Sequence, residues 1–133
     1  MNTTYFLDMI AGNVFNTKTD PALPKAYYIG LSSTTPSVEG TGVTEPSNSD
    51  YNRVEIINFS VPTNGVVKTT GPLSFNESTS NWGSVTHYVI YDAPEGGNLL
   101  VFCSLDDTKS IEANTVVTFR AGEIEMVLEN RSY

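Results

Sequence analysis

The one histidine of this chain, His87, is the residue best suited to acid–base chemistry. Because the pKa of imidazole lies near neutrality, a histidine can act as a general base. His87 stands between Thr86 and Tyr88 in an apolar stretch, and no Gly-x-Ser-x-Gly nucleophile motif accompanies it. The pattern favours a hydrogen-bonded histidine of the core or of an interface, and a Ser-His-Asp triad stays open as the alternative.

Carboxylates are a second source of chemistry, because a glycosidase needs only two of them. The acidic residues at predicted strand ends and turns, where aspartate is common for conformational reasons, are Asp50, Asp92, Glu95, Asp106 and Asp107. None lies in an apolar run that would raise its pKa, so no catalytic residue is predicted and the protein is not expected to be an enzyme. EF-hand, Walker and dinucleotide-binding motifs do not occur in the sequence, so it predicts no metal-ligating residues, no cofactor-binding residues and no cofactor.

Aromatic side chains offer a third kind of chemistry, since their rings can stack on sugars. Trp82 and Tyr51 are the candidate glycan contacts among the chain's tyrosines and its one tryptophan. Several tyrosines alternate with apolar residues, which favours packing in the core or between subunits. Trp82, directly before Gly83, is expected to close one end of the fold.

Size and charge restrict the class of protein. The 133 residues are enough for one domain with a core, and the net charge of -8 argues against binding nucleic acid. The apolar runs are of strand length, so no contact with a membrane is expected. Cys103, the one cysteine, lies in an apolar run that predicts a buried side chain.

These residues must be positioned by an N-terminal helix followed by strands. Residues 1–25 are expected to hold a short helix, capped by Thr3 or Thr4, and a polar connector. Residues 26–129 are expected to form the sandwich and residues 130–133 a tail, so that 1–133 is a single domain. The predicted fold class is mainly all-β, an antiparallel β-sandwich or jelly roll with one short N-terminal helix.

Four segments set the expected strand arrangement. Residues 33–50 lack large apolar side chains and predict a long loop, which is often functional. In 52–61 the apolar pattern changes parity, and a bulge near residues 56–57 would turn all five apolar residues inward. Residues 81–102 predict a long hairpin at the centre of the fold, and 123–129 predict a final strand with alternating faces.

The hairpin carries more apolar surface than one face of a sheet requires. Leu99, Val101, Cys103 and Leu105 share one parity of their strand, while Leu100 and Phe102 take the other. The outer face is therefore expected to be covered, either by the N-terminal helix or by another subunit. The candidate interface residues are Phe6, Met9, Ile10, Val38, Val43, Leu100 and Phe102.

Much of the chain after residue 26 resembles one family of proteins. The segments that carry the resemblance are 28–36 (YIGLSSTTP), 40–46 (GTGVTEP), 51–54 (YNRV), 82–87 (WGSVTH), 91–93 (YDA), 96–100 (GGNLL) and 121–123 (AGE). They occur in order and at compatible spacing in the small virion proteins of tailed bacteriophages usually called phage tail fibre proteins. Tyr27 with Tyr28, and the extension 130–133, depart from the family's pattern.

The resemblance implies a non-enzymatic virion structural protein. Related small β-sandwich proteins of phages serve as capsid decoration or cement subunits, and others are tail-associated in the fibre or baseplate. The implied partners are other phage virion proteins of the capsid or tail, together with further copies in a homo-oligomer. The implied location is the virion, assembled in the cytoplasm of the bacterial host. The alternative is a carbohydrate-binding module that recognises host glycans through Trp82 and Tyr51.

Overall fold

Residues 1–15, 17 and 22–128 are described by the computed structural model, and they form one helix and eight strands. The elements are α1 (Thr4–Val14), β1 (Tyr27–Ser32), β2 (Val54–Ile56), β3 (Val66–Lys68), β4 (Leu73–Ser74), β5 (Gly83–Tyr91), β6 (Leu99–Ile111), β7 (Thr118–Phe119) and β8 (Glu125–Val127). All strand pairs are antiparallel. The mainly β fold class with one short N-terminal helix is therefore confirmed.

The strands form one four-stranded sheet in the order β2-β1-β5-β6 and two ribbons, β3-β8 and β4-β7. One face of the sheet shares a buried apolar cluster with the ribbons. Ile29, Leu31 and Ile90 come from the sheet, and Phe119 and Ile124 come from β7 and the start of the β8 segment. Packing around one shared core agrees with a sandwich. The ribbons do not join into a single second sheet, and the jelly roll stays a prediction.

The predicted helix is confirmed, and its cap is Thr3. The Thr3 hydroxyl accepts a hydrogen bond from the Phe6 N–H at 3.3 Å and donates one to the Leu99 carbonyl at 2.7 Å. The Thr3 N–H donates to the Leu100 carbonyl at 2.9 Å, and Asn2 pairs with Val101. One threonine thus starts the helix and also joins the 1–3 segment to the outer edge of β6.

The hairpin of β5 and β6 forms, but its position differs from the expectation. β5 is interior, whereas β6 is the last strand of the sheet and runs on to Ile111. Its pairing is interrupted, because Val85 faces Lys109 while His87 faces Ser104. Residues 105–108 therefore bulge out opposite Thr86 alone.

The expected bulge at residues 56–57 was wrong. β2 ends at Ile56, which is buried, and the next residues leave the sheet so that Phe59 can pair with Thr69. Ile57 and Val61 are consequently 77% and 84% exposed. Periodicity alone could not show that the strand ends there, because the apolar residues continue beyond its last pairing partner.

Trp82 closes one end of the core, as expected. Its side chain is 7% exposed and meets the Tyr51 ring edge-to-face at a centroid distance of 5.4 Å. The indole N–H donates to the Asp50 carboxylate at 3.1 Å. The Thr79 N–H and hydroxyl also donate to that carboxylate, and these bonds lower the pKa of Asp50, the bond from the Thr79 N–H most of all.

We expect Trp82→Ala to lower the free energy of unfolding by about 3–5 kcal/mol, because it removes a large buried ring. Trp82→Phe, which keeps a ring but not the indole N–H, should cost less. Chemical denaturation of both variants measures the difference. A Trp82→Ala protein that folds normally but loses glycan binding would instead support the carbohydrate-binding alternative.

The Asp50 carboxylate should also give the stability a pH-dependent part. Because its pKa is lowered from the usual 3.8 in the folded state, its contribution is complete above that value and is lost as the pH falls through the folded pKa. In Asp50→Asn this contribution is absent. The difference in stability between wild type and Asp50→Asn should be constant from about pH 7 to pH 5 and shrink below about pH 4. A difference independent of pH down to acid unfolding would contradict this role.

Candidate assembly surface

The 33–50 loop covers part of the outer face of the sheet. Val43 packs against a second buried cluster, which consists of Val89, Tyr91, Leu99 and Phe102. Two main-chain hydrogen bonds of 2.9 Å hold the loop in place. The Ser33 N–H donates to the Thr44 carbonyl across the loop, and the Thr4 N–H donates to the Val38 carbonyl. This outer cluster is thus covered by the loop, and the expected cover by the N-terminal helix or by another subunit was wrong, because the helix packs on the main core instead.

A buried ion pair fixes this loop. The guanidinium of Arg53 donates to both carboxylate oxygens of Glu45, with Nη2–Oε1 and Nε–Oε2 distances of 2.7 and 3.1 Å. Its Nη1 donates to the carbonyls of Ala93 and Gly96 in the β5–β6 turn, both at 2.8 Å, and its Cζ lies 3.6 Å from the centre of the Tyr91 ring. The side chains of Arg53 and Glu45 are only 6% and 21% exposed. Such a bidentate pair is strong and directional.

Tyr51 extends the ion pair to the sheet. Its hydroxyl donates to Glu45 at 2.5 Å and accepts from the Leu31 N–H at 3.0 Å. Burial, followed by the hydrogen bond and charge of Glu45, raises the pKa of Tyr51. The pKa of Arg53 is also raised, because the bond and charge of Glu45 outweigh the opposing effect of burial. A Cβ at Gly30 would come within 2.6 Å of the Tyr51 hydroxyl, so this approach requires glycine.

The candidate interface residues divide by burial. Met9, Leu100 and Phe102 are 3%, 0% and 7% exposed and pack within the chain. The half-buried candidates are Phe6, Ile10 and Val43, and Val38 is exposed. The candidate glycan contacts, Trp82 and Tyr51, are respectively buried and half-buried, in one aromatic cluster with Phe75. These rings serve the core rather than an open stacking surface.

Sequence reasoning missed an apolar stripe on the outward face of α1, which we call the α1 stripe. It consists of Leu7, Ala11, Val14 and Phe15, at helical spacings that place them on one side. Leu7, Val14 and Phe15 are 45%, 67% and 74% exposed, while Met9 on the opposite side is buried. The signal was present in the sequence, since apolar residues surround this helix on all sides.

A groove of about 870 Å³ lies where the 1–3 segment and β6 approach β7 and β8. Val101, Tyr88 and Phe119 contribute to its lining from the core side. Cys103 also lines the groove and is exposed, so the expected burial of this thiol was wrong. The reason is that the second layer does not extend over this part of β6.

His87 lies in β5, half-buried, with its Nδ1 2.8 Å from the Thr86 hydroxyl. Burial lowers its pKa, which favours a neutral imidazole.

Among the described residues no three or more His, Cys, Asp and Glu side chains are grouped so that they could hold a metal ion. Within the same residues, no helix is long and apolar enough to cross a membrane.

Comparison with known families gives a match over nearly the whole chain. The family model described as "Podophage GP4 fiber I protein gp80" matches residues 3–127. A search of curated proteins finds no match. The matched range includes α1, the 33–50 loop, the Arg53–Glu45 pair and all eight strands.

We expect Arg53→Met to lower the free energy of unfolding by about 1.5–3 kcal/mol, because it leaves the half-buried Glu45 carboxylate without its charged hydrogen-bond partner. The double variant Arg53→Met/Glu45→Gln should recover part of this loss. Chemical denaturation measures the stabilities, and hydrogen exchange should show the 33–50 loop losing protection first.

The matched control is Lys68→Met. It breaks a second ion pair, Lys68–Glu125 at 3.3 Å, in which both side chains are about half exposed. Removal of an exposed pair should cost less than about 1 kcal/mol. Equal effects of Arg53→Met and Lys68→Met would show that the buried pair does not hold the loop.

Proposed function

This chain belongs to the Podophage GP4 fiber I protein gp80 family, and we propose that it is a non-enzymatic structural subunit of a phage tail fibre. In this proposal it works through contacts with other virion proteins and with further copies of itself. It is made in the cytoplasm of the bacterial host and ends in the virion. The family description names a fibre protein, which supports a place in the tail over capsid decoration.

The observation that carries the proposal is the two-sided character of α1. A surface helix normally has one apolar face toward the core and a polar face toward solvent. Here Met9 lies in the core while Val14 and Phe15 are largely exposed on the other side. An apolar stripe of this kind is typical of a helix that a second surface covers.

A second copy of the chain is the proposed cover in a homo-oligomer. Asp8 is the only charged residue within α1, so two such helices can approach with little charge repulsion despite the net charge of -8. A two-fold or higher symmetric contact would bury the α1 stripe of each copy. Burial of a Val or Phe side chain contributes about 1.5–3 kcal/mol, which is ample for a subunit contact repeated by symmetry.

The test is assembly of the full chain and its place in the particle. Wild-type protein should sediment as an oligomer and occur in the tail fraction of dissociated virions. Val14→Asp and Phe15→Asp should weaken self-association at least about tenfold, since each places a charge in the apolar contact. Thermal unfolding should confirm that these exposed positions leave the fold intact.

Val61→Asp is the control, because Val61 is 84% exposed in the connection between β2 and β3 and is not part of the α1 stripe. It should assemble like wild type. A chain that stays monomeric at high concentration and is absent from tail fractions would contradict the proposal.

A further inference from the structure

The groove between β6 and β8 combines an apolar floor with an acidic rim. Its floor includes Val101, Tyr88 and Phe119, which the core holds in place. The acidic side chains that line it are Asp106, Glu123 and Glu125, all of them exposed. No lysine or arginine is among the described lining residues; the one cationic group at the groove is the N-terminal ammonium of Met1, which donates to the Phe102 carbonyl. Two of these carboxylates have partners within the chain: Glu123 accepts a hydrogen bond from the Arg120 N–H at 3.0 Å, and Glu125 pairs with Lys68 at 3.3 Å.

The main chain beside the groove is also incompletely paired within the sheet. β5 supplies only Thr86 opposite the four residues 105–108 of β6, and Leu105 and Asp106 line the groove. On the other, outer edge of β6 the sheet has no further strand, and Asn2 already pairs there with Val101 in the manner of an added strand. This outer edge can therefore accept an extended segment beside the groove.

We propose that this groove binds an extended segment of another virion protein in which apolar residues alternate with lysine or arginine. The inference rests on the proposed structural role in the virion. Charge complementarity selects the occupant, since Asp106 and Glu123 attract a basic segment while the floor takes its apolar side chains. A second copy of this chain fits poorly here, because it has 15 acidic and only 7 basic residues.

Cys103 supplies a reporter that needs no substitution. It is the only cysteine of the chain, it is exposed and it lines the groove. A bound segment should therefore slow its alkylation. The probe is a set of overlapping 15-residue peptides that spans the other tail proteins of the same phage, and the readout is the rate at which iodoacetamide modifies Cys103.

We expect protection of Cys103 by peptides that contain interleaved apolar and basic residues, and we expect it to weaken as salt is raised. Asp106→Lys should lower the affinity of these peptides about tenfold, because it replaces an attractive charge by a repulsive one. Asp107→Lys is the matched control, since Asp107 is the next residue but does not line the groove. It should change the affinity much less.

Three results would overturn the proposal. The first is that basic apolar peptides leave the alkylation rate unchanged. The second is that Asp106→Lys and Asp107→Lys weaken binding equally, which would indicate a diffuse charge effect. The third is that Cys103 becomes protected by raising the concentration of the chain alone, which would assign the groove to a second copy. Because the reporter uses the isolated protein, these results are independent of whether the chain is found in tail fractions.

Discussion

The guanidinium of Arg53 connects three parts of the chain that are distant in sequence. It holds the 33–50 loop through Glu45, the β5–β6 turn through two carbonyls, and the outer face of the sheet through the Tyr91 ring. The Glu45 carboxylate, which is largely removed from water, would be costly without its charged partner. Glu45 therefore keeps the loop attached to Arg53. The loop in turn covers the outer apolar cluster, and the Val38 carbonyl accepts the hydrogen bond from the Thr4 N–H at the start of α1.

This arrangement leaves two exposed surfaces of different character, which meet at Leu7, a residue of the α1 stripe that also lines the groove. The α1 stripe is apolar and almost uncharged, which suits a contact between like surfaces. The groove beside β6 has an apolar floor and an acidic rim, which suits a partner of opposite charge. A subunit with both kinds of surface can join copies of itself and also attach to a different protein. The net charge of -8 fits this division, because α1 has a single charged residue and so adds little repulsion between copies.

Short sequence motifs correctly predicted the elements that depend on neighbouring residues alone, namely a helix cap and a tight turn. Thr3 caps α1 as expected, and the Asn64-Gly65 pair, a sequence typical of tight turns, has the positive φ angles of 53° and 77° that such turns require. The local sequence signals failed to predict burial where burial depends on packing against a distant segment. Ile57 continues an apolar pattern but has no sheet to join, and Cys103 lies in an apolar strand that the second layer does not cover. Strand periodicity shows on which face of the strand a side chain lies, but it does not show whether another element packs against that face.

The sequence by itself determined which residues are available to the candidate site: a helix with apolar residues on all sides, a long polar loop and an acidic chain without a catalytic motif. It also showed the family resemblance that the match over residues 3–127 confirms. Only the tertiary structure decided which apolar residues remain available. It placed Met9, Leu100 and Phe102 inside and left Val14 and Phe15 outside. It also brought Arg53 to Glu45 and shaped the groove around Cys103. The reason is that burial and charge pairing depend on contacts between segments far apart in the chain, which no local pattern records.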